Sequence, residues 1–348
     1  MAYTTINKSN LHFNTKLYTG NGSTQSITGV GFQPDWVWIK ERNDGSSHAL
    51  TDAVRGNTKY LSSNTSSSED TESDRVTGFD SDGFSLGGNV AVNQNTILHA
   101  SWNWKAGGGQ GTSNTDGSIN TTYTSVNTTA GFSISSYTGN ATSGATVGHG
   151  LGTTPAVIIV KKRSGSDGWV VYHHRNTSAP ETEYLRLDTT AATADNLGEW
   201  NDTAPTSSVF YVGNSGRTND NGATYIAYCF AEKTGYSKFG SYVGNGNADG
   251  TFIYTGFKPA WVLVKKSSST GHWVLIDNKR DPINVKSKYL LPDDAGVEAS
   301  FTDRDFLSNG FKMRNSNTDR NGSGATYIYM AFAEAPLVGT NNVPCNAK

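Results

Sequence analysis

Phe32-Gln33-Pro34-Asp35-Trp36-Val37-Trp38-Ile39-Lys40 is the stretch on which the fold turns. A proline leads four consecutive large apolar residues, and a lysine ends them. Without polar alternation, such a run reads as a strand covered on both faces. Proline fits the first strand position, where a missing N–H does little harm. The pattern recurs as Thr154-Pro155-Ala156-Val157-Ile158-Ile159-Val160-Lys161 and as Phe257-Lys258-Pro259-Ala260-Trp261-Val262-Leu263-Val264-Lys265.

Working outward, each run has the same neighbours. Ahead of it lie Leu17-Tyr18-Thr19-Gly20-Asn21-Gly22, Ser136-Tyr137-Thr138-Gly139-Asn140 and Ser241-Tyr242-Val243-Gly244-Asn245-Gly246. Behind it come Lys59-Tyr60-Leu61, Glu183-Tyr184-Leu185 and Lys288-Tyr289-Leu290. Closing segments follow at Ile97–Trp104, Tyr225–Phe230 and Tyr327–Phe332. Four landmarks in one order, three times over, define a repeat of roughly 90 residues. The runs are short, β-branched and aromatic, and bounded by Gly, Asn, Asp or Pro, which is strand-and-turn grammar. Asp80-Ser81-Asp82-Gly83-Phe84 and Ser308-Asn309-Gly310-Phe311 read as hairpin turns. No helical period of useful length is present.

The expected fold is therefore all-β, with three tandem homologous β-sandwich units of jelly-roll-like character. The spacing fits either three separate sandwiches or three units packed about a pseudo-threefold axis. A polar lead covers residues 1–16 and the repeats occupy 17–106, 133–234 and 239–335. A Gly/Ser/Thr-rich linker spans 107–132, within which Ile119, Tyr123 and Val126 are spaced to add an edge strand. The second junction is so short that units two and three are expected to be rigidly coupled. An extended tail covers 336–348.

The chain has 348 residues, 35% hydrophobic and 17% charged, with 16 Tyr, 14 Phe and 8 Trp among abundant Ser, Thr, Asn and Gly. That aromatic supply argues for folded, thin layers instead of disorder. A formal net charge of −2 provides no electrostatic basis for binding nucleic acid or an anionic membrane. No apolar stretch approaches the roughly 20 residues of a membrane span. The first residues lack the basic and apolar regions of a signal peptide, so synthesis in the cytoplasm without classical export is expected. Two cysteines, Cys229 and Cys345, make no disulfide framework.

The usual traces of catalysis are missing: no nucleophile elbow, phosphate loop or dinucleotide fingerprint occurs. Gly148-His149-Gly150-Leu151-Gly152 reads as a turn. The seven histidines are scattered, and His173-His174 would point to opposite faces of a strand, a poor chelate. Asp80-Ser81-Asp82-Gly83 and Asn247-Ala248-Asp249-Gly250 resemble fragments of calcium loops but lack the later Glu. Acid pairs that a polysaccharide depolymerase would need exist at Asp293-Asp294 and Glu69-Asp70, without an aromatic floor nearby in sequence. Asp52 with Arg55 recurs as Asp277 with Arg280 and reads as a structural ion pair. The expectation is thus no enzyme, no cofactor and no metal. Most of Trp36, Trp38, Trp102, Trp104, Trp169, Trp261 and Trp273 are expected to fill sandwich cores. Trp200, outside the shared strands, is the candidate exposed ligand contact.

Together, Tyr-Thr-Gly-Asn-Gly, the Gly-Phe-x-Pro run into Trp-Val-x-x-Lys, Lys-Tyr-Leu, Ser-Asn-Gly-Phe and Ala-Phe-Ala-Glu resemble a domain family of unknown function. That family occurs in virion structural proteins of marine bacteriophages, often labelled tail fibre proteins. The resemblance runs from Tyr18 to Glu334 and implies membership of a phage particle; it brings no catalytic residues. Joined to the aromatic side chains set among Ser, Thr, Asn and Gly, which can stack on sugars and hydrogen-bond their hydroxyls, it leads to the expectation of a tail-associated fibre or adhesin contacting host-surface glycan, with other virion proteins as partners and homotrimerisation by analogy with fibres. The alternative is a capsid decoration or tail-assembly component with protein partners alone. The second unit departs most, lacking Trp in its Pro-led run and the Asp seen at 52 and 277.

Overall fold

A computed structural model describes residues 3–340 and 344; Cys345 and the rest of the tail beyond Thr340, Pro344 excepted, lie outside the described residues. The chain is nearly all β, arranged as antiparallel sheets with no barrel. In each repeat the Tyr-Thr-Gly-Asn strand, the closing strand, the Pro-led strand and the strand that follows the Pro-led run lie side by side in the same spatial order. The first repeat runs Phe13–Thr19, Leu98–Trp104, Trp36–Glu41, Ala49–Asp52. The third runs Ser237–Val243, Thr326–Pro336, Phe257–Lys266, Trp273–Asp277. The second places Phe132–Thr138, Thr224–Phe230, Val157–Lys162 and Val170–His173 in that order. A second sheet packs on one face of each, such as Gln25–Thr28, Gly83–Leu86 and Val76–Asp80 in the first.

The Pro-led strands are apolar on both sides because each large sheet carries two cores. In Trp36-Val37-Trp38-Ile39, Val37 and Ile39 face the unit's own second sheet. Trp36 and Trp38 face the opposite way, into a cluster shared by all three units. Ile158 and Val160, then Val262 and Val264, repeat the inward side in units two and three. Val157 and Ile159, then Trp261 and Leu263, repeat the shared side. The seven tryptophans expected in sandwich cores are all at most 2% exposed, but they fill this common centre between the sandwiches. Ring contacts cross the unit boundaries there: Trp36 stacks on Tyr228 at 4.4 Å, and Trp104 meets Trp261 edge-on at 5.7 Å.

The seams close in a cycle. The Glu69 amide of unit one donates to the Arg163 carbonyl of unit two. Thr193 of unit two does the same to Ser267 of unit three, and Glu298 of unit three to Arg42 of unit one. Ring nitrogens follow suit. Trp169 Nε1 donates to Ser62 O at 2.9 Å and Trp273 Nε1 to Arg186 O at 2.8 Å. At the third seam His48 replaces the tryptophan and meets Leu291 O at 3.0 Å. Of the two arrangements that the spacing allows, the cyclic one is present.

Two segments differ from expectation. The first sheet begins at Phe13, not at 17, since Phe13 pairs with Trp104 and joins the shared core. The glycine-rich stretch after Ala106 is pinned, not free: the Asp35 carboxylate accepts from the amides of Ala106, Gly108 and Gly109. Beyond it, Tyr123–Asn127 forms an edge strand on Phe132–Thr138, and Ile119 enters the second unit's core.

Candidate functional site

Most of the repeated motifs are occupied with holding the fold. In Tyr-Thr-Gly-Asn, the tyrosine hydroxyls of Tyr18, Tyr137 and Tyr242 donate to the carbonyls of Val92, Thr218 and Arg320. The next residues, Asn93, Asn219 and Asn321, are fully buried. Their side chains accept from the amides of Asn21, Asn140 and Asn245, and donate to carbonyls such as Gly87, Gly213 and Asn315. The motif glycine is required by close approach: a Cβ at Gly20, Gly139 or Gly244 would lie 2.1–2.4 Å from a backbone oxygen. These buried asparagines escaped the sequence reading, although one precedes each closing strand.

The recurring acid–arginine pair is an inter-unit clamp. Asp52 binds Arg55 and accepts from the Tyr228 hydroxyl of unit two at 2.7 Å. Asp277 binds Arg280 and accepts from Trp102 Nε1 of unit one at 3.0 Å. Burial alone would raise the Asp277 carboxyl, but Arg280 and the added donors outweigh it and hold the group below its usual value. The residue of unit three aligned with Tyr228 and Trp102 is Met330, which has no donor. Unit two accordingly carries His173 in place of the acid, and its Nε2 meets the Tyr329 carbonyl at 3.1 Å. His173 Nδ1 accepts from Arg175 N, so the ring is the neutral Nε2–H form, and burial lowers its pKa to about 3.

The remaining candidates are also engaged. Trp200 is a correction: it is 2% exposed, lies in the second unit's core and meets Tyr172 edge-on at 6.0 Å. Its short helix, Leu197–Trp200, turns the apolar indole inward, so it presents no surface to a ligand. Asp293 accepts from Trp273 N and pairs with His272 at 2.8 Å, while Asp294 caps Gly296 N. Asp82 accepts from the amides of Gly29 and Gly31, and Asp249 pairs with Lys312. Among the described residues, no group of three His, Cys, Asp or Glu is placed to hold a metal ion. No helix among them is long and apolar enough to cross a membrane.

One surface feature is not absorbed in this way. Each Lys/Glu-Tyr-Leu tyrosine carries an arginine over its ring: Arg75 on Tyr60 at 3.7 Å, Arg217 on Tyr184 at 5.2 Å, Arg320 on Tyr289 at 4.3 Å. In unit three, Phe301 covers the arginine from another side at 5.6 Å. In unit one the pair instead walls a cleft of about 640 Å³, lined by Ser46, Ser62, Thr65, Ser67 and Ser68 and by Glu69 and Asp70. Arg75 is held by Glu72 at 2.7 Å, and the Tyr60 hydroxyl lies 3.3 Å from both Asp70 and Glu72. Glu69 is drawn up by burial but held low by Arg163 and Arg55, so it is an ionised acceptor and not a proton donor. An aromatic ring, fixed carboxylate acceptors and a fringe of hydroxyls can bind a polyhydroxylated ligand.

A family model, that of a domain of unknown function (DUF7483), matches residues 8–336. No curated protein and no solved structure matches the chain.

Proposed function

The chain belongs to the DUF7483 family of domains of unknown function, and from that starting point we propose that it is a glycan-binding component of a phage particle, a tail-associated fibre or adhesin. The observation that carries the glycan part is the Tyr60 cleft, whose ring, carboxylates and hydroxyl-bearing residues suit a saccharide. The particle assignment is supported by the likeness of the repeated motifs to marine phage virion proteins. Binding by a rigid three-unit body also avoids much of the ordering cost that weakens flexible sites.

Glycan-array and host-cell adsorption measurements test the reading. Saturable binding is expected, weakened at least tenfold in Tyr60→Ala with the melting temperature within a few degrees of the parent. Absence of binding to any glycan or host cell at micromolar protein, or undiminished binding by Tyr60→Ala, would overturn it. A second, architectural reading draws support from the third unit, where Val243, Phe252 and Tyr254 are 57%, 45% and 55% exposed. A lattice position on the capsid, seen in a particle map, would favour that reading over the first.

A further inference from the structure

The third unit carries a second cleft, of about 400 Å³, lined by Lys258, Asn278, Lys279, Lys286, Phe306 and Glu334, among others. Its charge is out of keeping with a chain of net charge −2. Three lysines converge there, and the one carboxylate, Glu334, is already taken by Lys258 and Asn278, both at 2.9 Å. Lys286 stands out. It is only 3% exposed, yet among the described residues its ammonium has neither a hydrogen bond nor an ion pair, and it lies 5.5 Å from the Phe306 ring centre. The nearby Asp281 carboxylate is turned to the Ser287 amide and hydroxyl, at 2.6 and 3.0 Å. Burial accordingly lowers the Lys286 pKa.

Such a group is costly to leave unmatched, and the repeat does not require it. The aligned positions of unit one hold Gln33, Val54 and Asn57 in place of Lys258, Lys279 and Lys286. The fold therefore forms with no lysine at any of the three. The Lys286 side chain lines the cleft, and Ile283 and Pro282 supply an apolar flank beside it.

We propose that this cleft is an oxyanion site, in which Lys286 and Lys279 bind the carboxylate or phosphate of a sugar-sized ligand while the apolar flank packs against its carbon skeleton. The assignment is independent of the Tyr60 cleft and stands or falls separately from the glycan reading above.

Calorimetric titration of the full chain with glucuronate, inorganic phosphate and, as the neutral control, glucose tests it. Saturable millimolar or tighter binding of one or both anions is expected, with none for glucose; which anion binds distinguishes the carboxylate source from the phosphate source. Lys286→Met should weaken that binding at least tenfold and Lys279→Ala several-fold. Tyr60→Ala and the remote Lys162→Met should leave it unchanged. Because Lys286→Met removes an unpaired charge from a largely buried side chain, its melting temperature should equal or exceed that of the parent. Three results would each overturn the proposal: no saturable binding of either anion, equal affinity in Lys286→Met, or a Lys286→Met chain that melts several degrees lower or does not fold.

Discussion

Asn219 illustrates how a single side chain holds a unit together. Its fully buried side chain donates to Thr142 O and Gly213 O and accepts from Asn140 N. Replacing it with alanine removes three bonds and leaves the buried Gly213 carbonyl unmatched beside a small cavity, so Asn219→Ala should cost about 3 kcal/mol in urea unfolding. Gly139→Ala should be of similar severity, because its Cβ would meet Asp220 O at 2.4 Å with no side chain able to yield. Asp277 makes the same point for charge. Asp277→Asn strands much of the buried Arg280 charge and should cost about 3–5 kcal/mol. A replacement that leaves stability unchanged would remove the clamp from the account.

At the scale of the strand, the seams matter more than the sheets. Each Pro-led strand ends on a fully buried lysine whose ammonium donates to carbonyls: Lys40 to Asp44 O, Lys161 to Ser66 O of unit one, Lys265 to Thr190 O of unit two. Burial lowers all three to about 8. In the unfolded chain they titrate near their ordinary value, about 10.4. Between about pH 8 and pH 10 the unfolded state therefore binds more protons, and stability should rise with pH across that window. His48 and His173, both lowered to about 3 by burial, act at the other end. Their contribution is fully present above about pH 6.5 and is lost as pH falls toward 3. Chemical-denaturation midpoints taken from pH 3 to pH 10 check both slopes. The apolar strand itself was legible as doubly covered, but its second cover was not, because nothing within Trp36–Ile39 says whether a neighbouring unit or a helix lies beyond.

For the molecule as a whole, the shared core should make the three units one cooperative body. An isolated first unit would bare Trp36, Trp38, Trp102 and Trp104, roughly 600–1,000 Å² of aromatic surface at about 150–250 Å² each. That exceeds the few hundred Å² that soluble monomers usually tolerate. The full chain should unfold in one calorimetric transition, and residues 13–106 expressed alone should aggregate or stay unfolded. Three resolved transitions, or a folded monomeric single unit, would refute a common core. The same arrangement explains why the candidate sites were hidden in the sequence. Tyr60 and Lys286 belong to segments that read as ordinary strand and turn. Their surroundings come from loops far away in the chain, as when Arg75 and Ser46 meet at one cleft.

By itself the sequence determined the all-β class, the threefold repetition and the burial of most tryptophans, because strand period, turn residues and apolar runs are local properties. Tertiary structure alone decided the cyclic packing, the inward turn of Trp200, and which polar residues lock the fold and which remain free to meet a ligand. Those outcomes depend on contacts between segments tens to hundreds of residues apart, and no local pattern encodes which buried donor will find its acceptor.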